Sequence, residues 1–230
     1  MGLNKQKGNM YPFVTHTWNP IKGKCSHDCV YCFMKGTKDN PIVQRPLRLD
    51  EKDLAHTNLE KDNFIFAGSS TDMFAEDVPT HNIKYVLDKI RMAAGNRYLL
   101  QSKNPKRMYQ GGWNFPAHVV IGTTIETNRS DPLCKISHAP GINERIIYMD
   151  QLRRKGFETM ITIEPIMDFD MDEFLERLVF LNPSWINIGA DSKGHDLNEP
   201  PWEKIAALIE GLRTVRMRVK VKDNLKRLIR

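Results

Sequence analysis

Three cysteines fall within eight positions, in the stretch Cys25-Ser-His-Asp-Cys29-Val-Tyr-Cys32. A disulfide framework spreads its partners along the chain, so this crowding marks the thiols as metal ligands. Three thiolates on one short loop can hold three corners of an iron-sulfur cubane and leave the fourth iron without a protein ligand. An iron left open in this way can be chelated by a small molecule. Zinc is the competing metal, with Cys25, Cys29 and Cys32 joined by His27 or His16. Structural zinc sites usually draw two ligand pairs from separate knuckles, and a second pair is missing here. Cys134 stands alone in DPLCKISH, cannot build an auxiliary cluster and is expected as a free thiol.

The elements that must position this loop belong to a chain of ordinary globular composition. It has 230 residues, 40% of them hydrophobic and 27% charged. That length predicts one domain, 1–230. No run approaches the 18 or so apolar residues of a membrane span, and the first residues lack the apolar core of a signal peptide, so a cytoplasmic protein without membrane contact is expected. Short runs rich in β-branched and aromatic residues predict strands over 12–18, 64–70, 97–102, 118–124, 159–165 and 185–191, with a possible seventh within 215–221. Helical periodicity occupies 80–94, 141–155, 172–181 and 201–215 between them. Alternating β and α elements imply a parallel sheet, and six or seven units are too few for a full eight-unit barrel. The expectation is therefore an α/β fold, a partial (β/α)6-type barrel with the cysteine loop directly after the first strand.

In parallel α/β folds the reactive groups gather at the C-terminal ends of the strands. Polar residues stand there in this chain: Ser69, Ser70 and Asp72 after the second strand, Lys103 after the third, Thr124 and Glu126 after the fourth, Glu164 after the fifth and Asp191 after the sixth. They should converge on one mouth. Glu164, between an apolar run and Pro165, must be either paired or functional, because an unpaired carboxylate at the end of a central strand is costly. His16, His118 and His195 are expected as surface or core residues, and Trp18, Trp185 and Trp202 as packing. The formal charge is +6, yet 213–230 alone holds eight Lys or Arg against Asp223, a net +7. That segment is either a phosphate-binding surface or a solvated face.

The spacing C-x3-C-x2-C, with Tyr31 just before the third cysteine, resembles the signature of the radical SAM superfamily. Beyond the loop, THTWNPIKGKCSHDCVYCF, FAGSSTDMF, LLQSKNP, VIGTTIET, TIEPI and VKVKDNL are similar to a phage- and bacterium-borne family of short radical SAM proteins, itself distantly similar to spore photoproduct lyase. The resemblance implies a 4Fe-4S cluster on Cys25, Cys29 and Cys32, which reductively cleaves S-adenosylmethionine (SAM) to a 5′-deoxyadenosyl radical. An electron donor such as flavodoxin or ferredoxin goes with it. It places Ser69, Ser70, Thr71 and Asp72 near the methionine amine and Lys103 at its carboxylate. Thr124 or Glu126 falls near the ribose, and Tyr31 and Asp191 join the cofactor contacts. Asp72, Glu126 and Glu164 are the candidate catalytic residues. One departure stands out: the glycine-rich amine-binding motif ending in Glu is absent, and Ser69 to Asp72 must replace it. The implied substrate is a nucleic-acid base to be modified, rearranged or repaired, with phage DNA hypermodification as one case. A small metabolite or peptide is the alternative substrate, and a zinc-stabilised nucleic-acid-binding module without catalysis the alternative class.

Overall fold

Fully buried parallel strands must be apolar on both faces, and the apolar runs of this chain meet that demand. The computed structural model describes residues 3–6, 8–35, 45–55 and 59–229. In chain order its strands are β1 (Asn4–Lys5), β2 (His16–Trp18), β3 (Ile21–Lys22), β4 (Arg48–Leu49), β5 (Phe64–Ala67), β6 (Arg97–Gln101), β7 (Val119–Thr124), β8 (Glu158–Ile163), β9 (Trp185–Ile188) and β10 (Val219–Val221). One sheet runs β1-β2-β5-β6-β7-β8-β9-β10, while β3 and β4 form a separate pair. β1 is antiparallel to β2, and every later neighbour in the large sheet is parallel. The expected partial barrel is thus observed, with β10 as the seventh parallel strand.

Alternate side chains face opposite ways along each strand. Ile65, Tyr98, Ile121, Ile161 and Ile186 point to the helix-covered side, where they meet Ile83, Val86 and Leu87 of the helix Thr80–Met92 and Leu208 and Leu212 of the helix Trp202–Thr214. Phe66, Leu99, Val120, Met160 and Trp185 point to the concave side and form a second cluster with Tyr11 and Val14. Each such side chain contributes about 1.5–3 kcal/mol on burial.

The first predicted strand is only half a strand. Tyr11 to Val14 make a turn closed by Val14 N donating to Tyr11 O at 3.0 Å, with Pro12, which has no N–H to give a ladder, at its second position. The turn carries Tyr11 and Phe13 into the barrel, where Phe13 meets Phe64 and Trp185, each with ring centroids 5.2 Å away. Among the described residues, no helix is long and apolar enough to cross a membrane.

The basic C-terminal segment is not one face. Lys220 lies over the Phe13 ring at 3.9 Å, and its pKa is lowered by burial and by Arg218 and Arg97. Lys222 is buried, Lys226 pairs with Asp223, and Arg227 pairs with Glu199. Arg213, Arg216 and Arg218 precede β10 and therefore lie at the N-terminal end of the sheet. The expectation of a single phosphate-contacting surface beside the mouth is corrected accordingly: register and twist divide these cations between two ends of the sheet.

Candidate functional site

The loop carrying Cys25, Cys29 and Cys32 follows β2 and the short β3, and successive turns coil it: Asp28 N donates to Cys25 O, and Cys32 N to Cys29 O. Asp28 takes a left-handed conformation, φ 43°, at which a short polar side chain is tolerated. Side-chain contacts help to fix the loop to the rest of the barrel. His27 Nε2 donates to Asp72 Oδ2 at 2.9 Å, the Tyr31 hydroxyl donates to Glu126 Oε1, and Cys29 Sγ lies 3.0 Å from Ser137 Oγ. All three cysteines line a cavity of about 460 Å³ at the C-terminal ends of the strands, within the usual range of ligand sites, about 300–1,000 Å³. Burial, with Asp72 nearby, pushes the Cys25 thiol up to about 12, so a metal must displace its proton on binding.

The stretch after β5 also faces this cavity. Ser69 Oγ donates to Asn19 Oδ1, and buried Thr71 donates to Gly23 O at 3.0 Å, so both hydroxyls are spent on holding the turn that leads into the cysteine loop. Ser70 differs: its Oγ is buried and has no partner among the described residues. An orphaned hydroxyl on the cavity wall beside three thiols is what a bound amine or hydroxyl would satisfy, so this wall fits the implied cluster and SAM.

Asp72 is a pin in this structure. Its carboxylate accepts from His27, from Lys103 N at 2.8 Å and from Phe74 N at 2.9 Å. Burial works against its charge, but the His27 partner and these donors outweigh it and hold the carboxyl down at about 2. His27 is thereby engaged away from the cysteines, and His16 contacts Thr15 instead, so neither completes a zinc set. Among the described residues no three His, Cys, Asp or Glu groups converge on one ion.

Thr124 or Glu126 was expected near the ribose, and the structure leaves that place to Thr124, because Glu126 does not reach the cavity. It is fully buried beneath the cysteine loop, where it accepts from Tyr31 and from Arg145 Nη1 at 2.8 Å, and it does not line the cavity. Lys103 stands between the two environments, 4.0 Å from Glu126 Oε1, 5.2 Å from the centre of the Tyr31 ring and open to the cavity. Thr124 lines the cavity and accepts from Gln101 Nε2 at 3.3 Å. The Asp191 carboxylate is taken by His195 Nδ1 and by Lys193 N, which organise the turn after β9. Cys134 is exposed, and His118 packs beside the Tyr98 ring.

Glu164 is paired. Lys222 Nζ donates to its Oε1 and Oε2 at 2.8 and 2.7 Å, and Asn224 and Asn9 donate to Oε1. Lys222, Arg145 and Asn224 were not among the expected site residues. Arg145 does leave a signal: with Ile142, Ile146 and Met149 it falls on the buried stripe of the helix Ile142–Arg154, a charge at a core position. Lys222 alternates with Val219 and Val221 at a strand end, where a lysine otherwise passes for surface.

A model of the family described as "Protein of unknown function (DUF5131)" matches residues 10–141. No curated protein matches the sequence. Among solved structures, a mutant of spore photoproduct lyase with bound AdoMet and dinucleoside spore photoproduct superposes with a TM-score of 0.60 at 12% identity, over 92% of this chain and 65% of that one. A radical SAM methyltransferase from Sphaerobacter thermophilus gives 0.58 at 13%, over 92% and 67%, and Streptococcus suis SuiB bound to precursor peptide SuiA gives 0.62 at 10%, over 86% and 46%. The chain thus spans slightly under two thirds of the length of the lyase. These likenesses identify the fold as the partial barrel of radical SAM enzymes.

Proposed function

The chain belongs to the DUF5131 family, and we propose that it is a radical SAM enzyme acting on a nucleic-acid base. The observation that carries this reading is the meeting of three loop cysteines and the unpartnered Ser70 hydroxyl on one cavity at the strand ends. Cys25, Cys29 and Cys32 would hold a 4Fe-4S cluster, and Ser70, Lys103 and Thr124 would contact SAM. When bound, the pair supplies reductive carbon-sulfur cleavage and a 5′-deoxyadenosyl radical. The chain's own residues do the positioning. Lys103 offers an ammonium to a carboxylate, Asp72 and Glu126 hold the loop from two sides, and the apolar concave floor excludes water. An external donor such as flavodoxin or ferredoxin would supply the electron. A base substrate is favoured by the likeness to an enzyme crystallised with a dinucleoside photoproduct and by lysines on the cavity rim, and phage DNA hypermodification fits the same chemistry.

Anaerobic reconstitution tests this. The intact chain and Cys134→Ala should each bind about four irons with sulfide, and Cys25→Ala, Cys29→Ala and Cys32→Ala should each fail to do so. Reduced with dithionite, the intact protein should convert SAM to 5′-deoxyadenosine, or incorporate substrate hydrogen into SAM. Stoichiometric zinc without iron would overturn the reading. Lys103→Ala should weaken SAM binding by about 1.5–3 kcal/mol, the value of a hydrogen bond to a charged group, with its iron content unchanged.

A further inference from the structure

The same cavity is also walled by residues to which the cofactor assigns no work. Glu164 and Lys222 form an ion pair there, with side chains only 17% and 7% exposed. A pair so desolvated contributes little net stability, so its place on a cavity wall at the C-terminal ends of β8 and β10 calls for another reason. The chain makes room for it: a Cβ on Gly189 would stand 2.9 Å from Glu164 Cδ, so only glycine lets the carboxylate lie against β9.

The hydrogen-bond inventory of this wall is uneven. Glu164 Oε1 accepts from Lys222, Asn9 and Asn224, whereas Oε2 accepts from Lys222 alone. Ser192 Oγ accepts from Asn9 Nδ2 at 2.9 Å and from Asn224 Nδ2 at 3.1 Å, and among the described residues nothing accepts its own proton. The wall therefore offers one free acceptor, on a carboxylate, and one free donor, on a hydroxyl that shares the Asn9 and Asn224 amides with that carboxylate. The ion pair cancels its own charge, which suits a neutral ligand rather than a phosphate or carboxylate. Tyr11 and Phe66 add ring surface to the same cavity.

We propose that Glu164 Oε2 and Ser192 Oγ form the substrate-recognition subsite of this cavity, reading the N–H and adjacent C=O of a lactam or imide edge, as carried by thymine, uracil or guanine. The ring N–H donates to Glu164, and the Ser192 hydroxyl donates to the carbonyl. Lys222, Asn9 and Asn224 hold the two atoms in place. This rests on the radical SAM reading for the identity of the cavity and extends it by naming the base edge. A base whose ring N–H is methylated is rejected, because Glu164 would then face a methyl group in place of a donor.

The test uses the full chain, reconstituted anaerobically with iron and sulfide and titrated with hexathymidylate and with the same strand carrying N3-methylthymine. The methylated strand should bind about ten- to hundredfold more weakly than hexathymidylate, the loss expected for one hydrogen bond to a charged group. Glu164→Gln and Ser192→Ala should weaken hexathymidylate binding and narrow that discrimination. Equal affinity for the two strands, or no binding of hexathymidylate, overturns the proposal, and the strand comparison on the unaltered chain stands even if a variant fails to fold. If the preparation makes 5′-deoxyadenosine but does not discriminate, only this subsite falls. If it takes up no iron, the radical SAM reading falls whatever the titration shows.

Discussion

Arg145 and Glu126 are both fully buried, so removing Glu126 takes the counterion from Arg145, and removing Arg145 leaves Glu126 only the more distant Lys103, 4.0 Å away. Arg145→Met should destabilise the cofactor-free chain by about 3–5 kcal/mol in urea denaturation, and the double variant Arg145→Met/Glu126→Gln should recover much of that loss, because a neutral amide can stay hydrogen-bonded to Tyr31. Additive losses in the double variant would mean that the two side chains act separately. The same pair explains what local sequence could and could not reveal. The cysteine spacing is a local signal, since all three ligands come from one eight-residue loop. The fate of Glu126 is not local: its partners are 95 residues earlier, at Tyr31, and 19 residues later, at Arg145. At a strand end an acid that faces ligand and one that anchors a loop from beneath look alike until those partners are placed. Asp72 shows the same limit, because its charge is bound to a histidine 45 residues away.

Strands were legible where β-branched runs had to be buried on both faces, and β5 to β9 lie inside the runs that predict them or within one residue of them. Termini and turns were less so. The segment Tyr11 to Val14 has the composition of a strand, but Pro12 cannot complete a ladder, and the aromatic side chains find more apolar surface inside the barrel than at its edge. The helix Thr80–Met92 also starts without side-chain capping, with Pro79 at its cap position. The close approach of β8 and β9 yields a prediction at this scale. In Gly189→Ala the new methyl group must displace the Glu164 carboxylate from Lys222, which should cost about 1–3 kcal/mol in denaturation, the usual range for overpacking. Gly141→Ala, where an added Cβ meets nothing within 4 Å, is the control and should change stability by less than half as much. Equal effects would mean that Glu164 yields freely and is not held against the strand.

Over the whole molecule, charge is distributed by end. The cavity mouth carries exposed Lys24 on the cysteine loop and exposed Lys193 after β9. Arg213, Arg216 and Arg218 are exposed at the other end of the sheet, and the left-handed Arg216 turns the chain back into β10 there. A base that enters a cavity at the strand C-termini must leave its stack and bring its flanking phosphates to the mouth. The salt dependence of binding counts those phosphates, with a slope of about 0.7 per neutralised phosphate on a single strand. Lys24→Ala and Lys193→Ala should each flatten the plot of log affinity against log salt for a thymine oligonucleotide by about that amount. The triple variant Arg213→Ala/Arg216→Ala/Arg218→Ala should leave the slope unchanged, although it removes three times the charge of either lysine variant. Because Lys24 adjoins Cys25, the iron content of Lys24→Ala is measured alongside, and Lys193→Ala gives the independent reading. If the arginine variant flattens the slope and the lysine variants do not, the nucleic acid runs along the strand N-termini, and its base cannot reach the cysteine loop. The cavity would then take a free metabolite, and the basic segment would serve a separate contact.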